Sequence, residues 1–391
     1  MSDIRLEGVS KYYGPVQAVK RLDLVCPDGA MVALLGPSGC GKTSTLKMLA
    51  GIEEVSEGEI WFGDRRVSRL APAERNIAMV FEDYALYPHL TAFENIAFPL
   101  RIRGVSAEEI NRRVTQTLDL LLLSDMRDKR ASRLSGGAQQ RISIGRALVR
   151  DPELILFDEP LSHLDGDQKV QLRSEIKRLQ NTTGLSAVLV THDQTEAVAM
   201  SDLVAIMNGG VLQQVGPPEE LYRFPANLFV ANFIGEPPMN LLPIEIREEA
   251  GALFVTGRAG WRIALQGEMA ARARAIRSRD AILGIRPEHL RIEEESGEAS
   301  RLNRHPGRIW WRERRGDVEV VFLNLLDERN ANGAAGQVPS EEMLVEVPAP
   351  APCAEGAIVD AVFHPDRISL FDAATGTNVL AARRASAEVR A

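Results

Sequence analysis

The stretch GPSGCGKT, residues Gly36–Thr43, decides the fold of this chain. It follows the continuous apolar run Met31–Leu35 and precedes the helix-like segment Thr43–Leu49. A glycine-rich segment ending in Gly-Lys-Thr between a buried strand and a helix is the pattern of a phosphate-binding loop. The glycines let successive backbone N–H groups turn inward around a phosphate, and the helix adds its positive end. The sequence therefore predicts a nucleotide site on an α/β domain.

Two side chains of this loop have distinct expected roles. Lys42 can reach the β- and γ-phosphates, and the Thr43 hydroxyl can ligate Mg²⁺. A glycine-rich turn without a ligand is the alternative, and the strand and helix on either side disfavour it. The loop residues predicted to bind nucleotide are Gly36, Pro37, Ser38, Gly39, Cys40, Gly41, Lys42, Thr43 and Ser44.

Two further strand ends carry polar residues. Asp158 and Glu159 follow the apolar run Leu154–Phe157, and His192 follows Ala187–Val190. Ligands lie at the carboxyl ends of strands in open parallel sheets. We expect Asp158 to hold Mg²⁺ through water, Glu159 to orient and deprotonate the attacking water, and His192 to donate to the γ-phosphate. Such residues are more often structural when they stand alone, but the phosphate-binding loop upstream favours the catalytic interpretation.

The composition and the hydrophobic pattern of the sequence change near residue 235. Residues 1–235 alternate short apolar runs with segments of helical period, the pattern of a parallel sheet wrapped by helices. Residues 236–372 are rich in glycine and in short β-prone runs, and we predict a smaller β-rich domain there. Residues 373–391 have no core pattern, which predicts a mobile tail. The β-prone runs are Leu253–Val255, Val318–Phe322 and Ile358–Phe363.

Composition excludes several classes of protein. The 391 residues carry a formal net charge of −8, which disfavours nucleic acid as a partner. The apolar stretch Leu118–Leu123 is far shorter than the roughly 20 residues of a membrane-spanning helix, and Met1–Arg5 does not begin a secretory signal. Cys26, Cys40 and Cys353 are too widely spaced for a disulfide framework or a zinc site.

A second sequence pattern narrows the function. Leu134–Arg141, LSGGAQQR, resembles the signature of ABC transporter ATPases. The resemblance implies that Ser135 and Gly137, with Gly136 between them, contact the γ-phosphate of ATP bound by a second subunit. Two subunits would then sandwich two ATP molecules. The alternative is that Ser135 only caps the helix that follows.

Other elements of the same family follow in order. Tyr13 resembles the aromatic residue that stacks on adenine, although an ordinary edge tyrosine is the alternative. Leu161–Asp165 resembles the loop whose aspartate, here Asp165, reaches across the dimer, but the family more often has Asn where His163 stands. Phe81–Leu90 resembles the glutamine loop, which touches both the γ-phosphate site and the membrane subunits.

The resemblance extends over nearly the whole chain to the ATPases of maltose and glycerol-3-phosphate importers. Three segments resemble sequence motifs of that group: Gly216–Tyr222, Phe229–Gly235 and Gly284–His289. It implies a C-terminal barrel of the oligosaccharide-binding type that dimerises and can receive regulatory signals. The implied function is to hydrolyse ATP for the uptake of a sugar, polyol, glycerol or glycerol phosphate.

The resemblance also implies partners and a location. The partners are two transmembrane permease subunits, a second ATPase subunit that is either identical or a paralogue, and indirectly a periplasmic or external solute-binding protein. The chain would lie peripherally on the cytoplasmic face of the cell (inner) membrane. Within Tyr84–Asn95, an apolar cluster is expected to dock a permease helix, with core packing as the alternative. This cluster consists of Tyr84, Leu86, Tyr87, Leu90 and Phe93.

Two positions depart from the family pattern. Glu82 replaces the Gln of the glutamine loop, and Ala138 replaces the Gln of the signature. A carboxylate at Glu82 can still ligate Mg²⁺, so the predicted metal ligands are Thr43, Glu82 and Asp158. The predicted catalytic residues are Glu159, His192 and Glu82. The departures leave open a weakly active or silent ATPase paired with an ordinary paralogue. A non-transport ABC ATPase is less favoured because the chain has neither long helical insertions nor fused duplicate modules. A P-loop GTPase is disfavoured because no Asn-Lys-x-Asp guanine motif occurs.

Overall fold

A computed structural model describes residues 3–274, 276, 279–294, 302–326 and 341–379. These residues form two compact units that divide between Pro218 and Glu219. The first unit contains the strands β1 (Ile4–Tyr13), β2 (Val16–Cys26), β3 (Met31–Leu35), β4 (Glu57–Phe62), β5 (Arg65–Arg66), β6 (Ile77–Val80), β7 (Leu154–Asp158), β8 (Ser186–Thr191), β9 (Leu203–Asn208) and β10 (Val211–Gly216). Its helices are α1 (Lys42–Ala50), α2 (Ala92–Ile102), α3 (Ala107–Leu120), α4 (Gly136–Leu148), α5 (Gly166–Thr183) and α6 (Gln194–Met200).

The central sheet of the first unit has the order β10–β9–β3–β8–β7–β6. All neighbouring strands are parallel except β10, which runs antiparallel to β9. The strands predicted from continuous apolar runs are β3, β7 and β8, which are adjacent and buried on both faces. The predicted α/β fold with a parallel sheet is therefore confirmed. The carboxyl ends of β3, β8, β7 and β6 lie side by side at one edge of the sheet.

A second, antiparallel sheet has the order β2–β1–β4–β5. Its apolar face shares a buried core with helix α1 and the central sheet, and this core includes Leu6, Ile60, Leu46, Leu34 and Val188. Helices α2, α3 and α4 pack on one another, and α4 also contacts β6. The core thus fixes the helix that follows the phosphate-binding loop, and α4 connects the helical cluster to the sheet.

The second unit is built mainly of antiparallel sheets. Its strands are β11 (Asn240–Glu249), β12 (Ala252–Gly257), β13 (Arg262–Leu265), β14 (Asp280–Ile285), β15 (Leu290–Glu294), β16 (Arg304–Arg315), β17 (Val318–Leu325), β18 (Glu341–Pro348), β19 (Ile358–Phe363) and β20 (Ile368–Asp372). Its helices are α7 (Pro218–Arg223, whose first residue closes the first unit), α8 (Leu228–Phe233) and α9 (Gly267–Ala273). The sheet orders are β13–β12–β11–β14–β20 and β15–β19–β16–β17–β18.

One apolar core joins the two sheets of this unit. Trp261 stacks on Phe363 with ring centroids 5.1 Å apart, and the Trp261 ring nitrogen donates to Glu341 Oε2 at 2.5 Å. Pairing the buried indole N–H with a carboxylate removes the cost of burying that donor without a partner. The predicted β-rich second domain is confirmed, and the short helix α9 is an addition to it.

Arg286 explains why the compact unit begins before residue 235. This arginine is 2% exposed and donates from Nη1 to the Ala231 and Ile234 carbonyls and from Nη2 to Tyr222 O at 2.9 Å. Its guanidinium also lies 4.0 Å from the centroid of the Tyr222 ring. A buried cation with three carbonyl acceptors holds the segment 222–234 against the β-rich unit.

The segment predicted to be a mobile tail begins at residue 373. Residues 373–379 are described, and they contact the same segment that Arg286 holds. Leu228 N donates to Gly376 O at 2.9 Å, and Asn378 Nδ2 donates to Pro225 O at 2.8 Å. Residues 380–391 lie outside the described part of the chain.

Candidate functional site

The phosphate-binding loop needs glycine at two positions because other backbone lies too close. A Cβ on Gly36 would lie 2.2 Å from Met207 O, and one on Gly41 would lie 2.6 Å from Ala18 O. Gly41 also has a φ of 104°, which side chains with a Cβ rarely adopt. The loop therefore runs from β3 into α1 in a path that only glycine permits at these positions.

Lys42 is folded over the loop that precedes it. The residue is 6% exposed, and its ammonium donates to Gly36 O at 2.7 Å and to Pro37 O at 3.0 Å. Ser38, Gly39 and Thr43 are exposed around it. A positive charge thus lies beside exposed loop backbone at the N-terminal end of α1. That arrangement favours the binding of a phosphate group.

Glu159 leaves strand β7 in a strained conformation. Its φ is 45°, a left-handed value that costs a residue with a Cβ about 1–3 kcal/mol. Two contacts hold it there. Glu159 N donates to Val190 O at 2.9 Å, and Ser162 Oγ donates to Glu159 O at 3.1 Å. The turn fixes the direction in which the carboxylate leaves the sheet.

The charges of two other carboxylates act on Asp158 at the end of β7. The pKa of Asp158 is raised by burial first, and then by the charges of Glu159 and Glu82, while Lys47 opposes the shift. Because this folded-state pKa lies above the unfolded value, the stability that Asp158 contributes is present at low pH and is lost as the pH rises through the raised pKa. At neutral pH, a bound cation would offset this repulsion.

His192 lies next to the carboxylate of Glu159. The distance from His192 Nδ1 to Glu159 Oε2 is 3.0 Å. The turn that presents the ring is fixed by Glu196, which is 3% exposed and accepts a hydrogen bond from Thr191 Oγ1 at 2.8 Å. Asp193 N donates to the same Thr191 hydroxyl at 3.0 Å. With Nδ1–H donating to the carboxylate, Nε2 is left for a second contact.

Glu82 follows strand β6 and is exposed. Its Oε1 lies 3.5 Å from Nε2 of His163. Its loop continues through Tyr84 and Ala85, two consecutive residues with positive φ values of 61° and 46°. This conformation is unfavourable for both side chains and must be held by the surroundings.

Sequence analysis missed the residues that hold this loop. Ser143 Oγ donates to Tyr84 O at 2.9 Å, and Arg146 donates to Ala85 O at 2.5 Å and to Tyr84 O at 3.0 Å. Arg146 is half-buried, and burial lowers the pKa of its guanidinium. Both residues lie on one face of α4 at a spacing of one helical turn, the only signal in the sequence that could have linked them.

The remaining predicted residues lie on exposed ends of elements. Ser135 is the N-cap of α4, and its Oγ accepts from Ala138 N at 3.4 Å. Asp165 is an exposed N-cap of α5 without a side-chain capping hydrogen bond. Tyr13 is 42% exposed, and its hydroxyl lies 3.5 Å from Ser44 Oγ at the start of α1. Ser135 is thus both a helix cap and exposed. The first property fits a purely structural role, and the second fits contact with the γ-phosphate of a partner's ATP.

Within the described ranges, no three His, Cys, Asp or Glu side chains are grouped so that they could hold a metal ion by themselves. The described helices are all too short or too polar to cross a bilayer.

Comparison with known proteins identifies the family. The family profile described as "ABC transporter" matches residues 19–162, and the profile described as "MalK OB fold domain" matches residues 235–290. The trehalose/maltose import ATP-binding protein MalK of Thermococcus litoralis is 43% identical over 385 residues, which cover 96% of this chain and 99% of that protein. This chain belongs to the ATP-binding subunits of ABC importers. It is an ATP-binding and ATP-hydrolysing subunit that works with membrane permease partners, as the resemblance predicted.

Other similar proteins are also named as ATP-binding subunits of importers. The trehalose import ATP-binding protein SugC of Mycobacterium tuberculosis is 40% identical, with 98% of this chain and 100% of that protein covered. A sn-glycerol-3-phosphate import ATP-binding protein UgpC of Rhizobium etli is 45% identical, with 78% and 82% covered. None of these relatives supports a silent, asymmetrically paired subunit.

A solved structure supports the fold of the first unit. The structure of a part of the ABC transporter complex cbiONQ from Clostridium perfringens has a TM-score of 0.53 and 24% identity, with 56% of this chain and 90% of that chain covered. At this identity the likeness concerns the fold alone.

Proposed function

We propose that this chain drives the uptake of a sugar, polyol, glycerol or glycerol phosphate by hydrolysing ATP at the edge of its central sheet. The observation that carries the proposal is the order of four adjacent strand ends. Lys42 follows β3, His192 follows β8, Asp158 ends β7 with Glu159 directly after it, and Glu82 follows β6. Phosphate-binding, proton-accepting and cation-binding groups therefore share one edge.

In this proposal each side chain has one task. Lys42 and the loop backbone bind the β- and γ-phosphates, and Tyr13 stacks on the base. Glu159 orients the attacking water and accepts its proton, because its carboxylate is held by a strained turn at the end of β7. His192 holds the Glu159 carboxylate through Nδ1 and can donate to the γ-phosphate through Nε2 when that nitrogen carries a proton.

The oxygen atoms available at this edge fit Mg²⁺. The Thr43 hydroxyl, Asp158 and Glu82 are hard oxygen donors. Burial and then the charges of Glu159 and Glu82 raise the pKa of Asp158, and a bound cation would relieve this repulsion. Mg²⁺ in nucleotide sites takes one or two protein ligands and completes its shell with phosphates and water, so a self-sufficient cluster is not needed. When bound, it would neutralise charge on the β- and γ-phosphates.

A second ATPase subunit, identical or paralogous, would complete each ATP site. The N-terminal end of α4 carries Ser135, Gly136 and Gly137, and Asp165 is exposed at the start of α5. A helix N-terminus aimed at the γ-phosphate of a partner's ATP is the role that we assign to α4. We further propose that the ATPase domain comprises residues 1–235, of which 219–235 pack in the second unit, and that the β-rich domain 236–372 contributes dimerisation or regulation. The assembly lies on the cytoplasmic face of the membrane.

A groove beside the Glu82 loop is the proposed docking site for a permease subunit. It has a volume of about 460 Å³ and includes Ile52, Phe81, Tyr87, Phe98 and Ile102 in its lining. Ile102 is 71% exposed, Ile52 53% and Tyr87 36%, which is unusual for large apolar side chains grouped together. Of the apolar cluster within Tyr84–Asn95, only Tyr87 is exposed. Packing against the rest of the unit accounts for the half-buried members Tyr84, Leu86, Leu90 and Phe93.

Introducing a charge into this groove is expected to separate the chain from its permease. A carboxylate from Ile102→Glu or Tyr87→Glu would be buried without a partner in the interface, so recovery of permease with the tagged chain should fall at least about tenfold. Val25→Glu, at a 51% exposed apolar residue on β2, is the matched control. Equal recovery with all three variants and normal folding would place the interface elsewhere.

The solute class is tested by uptake in cells. The relatives are named for the import of trehalose, maltose or sn-glycerol-3-phosphate, and these solutes support the proposed class. Cells that lack this chain should lose accumulation of at least one radiolabelled disaccharide, polyol, glycerol or glycerol phosphate. The wild-type chain should restore that uptake and Glu159→Gln should not. Unchanged uptake of the entire panel would contradict the proposed solute class.

A further inference from the structure

Two positions at which the sequence departs from the family pattern contact each other. Glu82 stands in place of a Gln, and His163 stands where the family more often has Asn. They lie on different loops, one after β6 and one between β7 and α5. His163 Nε2 is nevertheless 3.5 Å from Glu82 Oε1. The contact suggests that the two side chains act as a pair.

The charges at this edge of the sheet show what the pair does. Glu159 lies 3.0 Å from His192, and the charge of Lys47 acts on Asp158. Glu82 adds a third carboxylate to this group. A glutamine would bring no charge and would also offer an N–H donor, which a carboxylate lacks. An unrestrained Glu82 carboxylate would therefore repel the γ-phosphate whenever it turned toward it.

The turn that carries His163 is anchored on both sides of the imidazole. Leu161 and Leu164 are 0% and 8% exposed, and Leu164 N donates to Leu161 O at 3.2 Å. Ser162 Oγ bonds to Glu159 O, which ties the same turn to the end of β7. The His163 side chain, 58% exposed, is therefore presented from a fixed backbone beside Glu82.

We propose that His163 is a positioning residue for Glu82 in ATP hydrolysis. The imidazole lies against the carboxylate and limits the orientations that the carboxylate can take. The oriented carboxylate can then ligate Mg²⁺, the role assigned to Glu82 above. This inference rests on the proposed function, because it assigns Glu82 to the hydrolysis site.

A double-mutant cycle on the assembled transporter tests the pairing. The complex is isolated through a tag on this chain, and kcat and KM for ATP are measured for wild type, His163→Ala, Glu82→Gln and the double variant. Because the pair is half-exposed, we expect His163→Ala to lower kcat about three- to tenfold, with KM within about twofold. In the Glu82→Gln background the same change should alter kcat less than about twofold, because glutamine needs no histidine. His163→Gln, which keeps an N–H donor, should retain most of the rate.

The outcomes separate the pairing from the proposed function. An equal loss of kcat on His163→Ala in both backgrounds would show that His163 acts independently of Glu82, and so would overturn the pairing. An unchanged kcat for His163→Ala in the wild-type background would overturn it as well. ATP binding by each variant, measured by titration, controls for folding. A complex without turnover in any of the four forms would overturn the proposed function together with the pairing.

Discussion

Glu159→Gln is expected to slow ATP hydrolysis about 10²–10⁴-fold while ATP still binds. The amide has the same shape as the carboxylate but cannot accept the proton of the attacking water. Lys42 and its loop are untouched, so nucleotide affinity should change little, and a closed ATP-bound dimer should accumulate. Phosphate release under steady-state conditions and nucleotide titration measure the two effects separately.

The matched control is Glu153→Gln, at an exposed glutamate that immediately precedes β7 and pairs with Arg65 at 3.2 Å. It should keep the wild-type rate. If Glu159→Gln turned over ATP almost as fast as wild type, Glu159 would not be the base, and the role would pass to Glu82 or His192. The transporter complex should be used for both variants, so that the partner subunit's contribution is the same.

Lys42→Ala is expected to weaken ATP binding about ten- to hundredfold, because one charge-assisted hydrogen bond to phosphate is worth about 1.5–3 kcal/mol. Titration of the purified chain with ATP and Mg²⁺ measures the effect. Lys20→Ala, at an exposed lysine, is the control for a general loss of positive charge.

Lys42 also holds the Gly36 and Pro37 carbonyls, so thermal unfolding without nucleotide must be compared between the variants. A similar unfolding temperature with weakened binding attributes the loss to the phosphate contact. Equal ATP affinity of wild type and Lys42→Ala would contradict the assignment of Lys42 and its loop to phosphate binding.

Much of the fold of the first unit could be predicted from local sequence patterns. Strands β3, β7 and β8 are continuous apolar runs because they are buried on both faces, and such runs are visible in a sequence. The phosphate-binding loop is equally visible, because Gly36 and Gly41 admit no side chain. The polar residues that follow these strands are then brought together by the general tendency of parallel strands to end at one edge.

Contacts between distant segments could not be predicted in this way. Arg146 holds a left-handed turn at Tyr84, and Arg286 gathers three carbonyls from the segment 222–234. Every residue has a backbone carbonyl. The sequence therefore contains no particular residue type that marks the partner of such an arginine. The approach of His163 to Glu82 depends likewise on the pairing of β6 with β7 and on the turn after β7.

The position of the domain boundary shows the same limit. The change in composition at residue 235 marks where β-prone sequence begins. The contacts of Arg286 and Asn378 instead bring the preceding segment, including α8, into the β-rich unit. Helix α8 is thus assigned to the first domain by sequence pattern, but it packs with the β-rich unit.

The central claim is that this chain hydrolyses ATP to energise import, and phosphate release by the isolated transporter complex tests it most directly. The complex is purified through a tag on this chain, together with its permease subunits, and is assayed with ATP and Mg²⁺ in the wild-type and Glu159→Gln forms. The account predicts release by the wild-type complex that increases when the transported solute and its binding protein are added, and almost none by Glu159→Gln. Wild-type release no greater than that of Glu159→Gln would contradict the account.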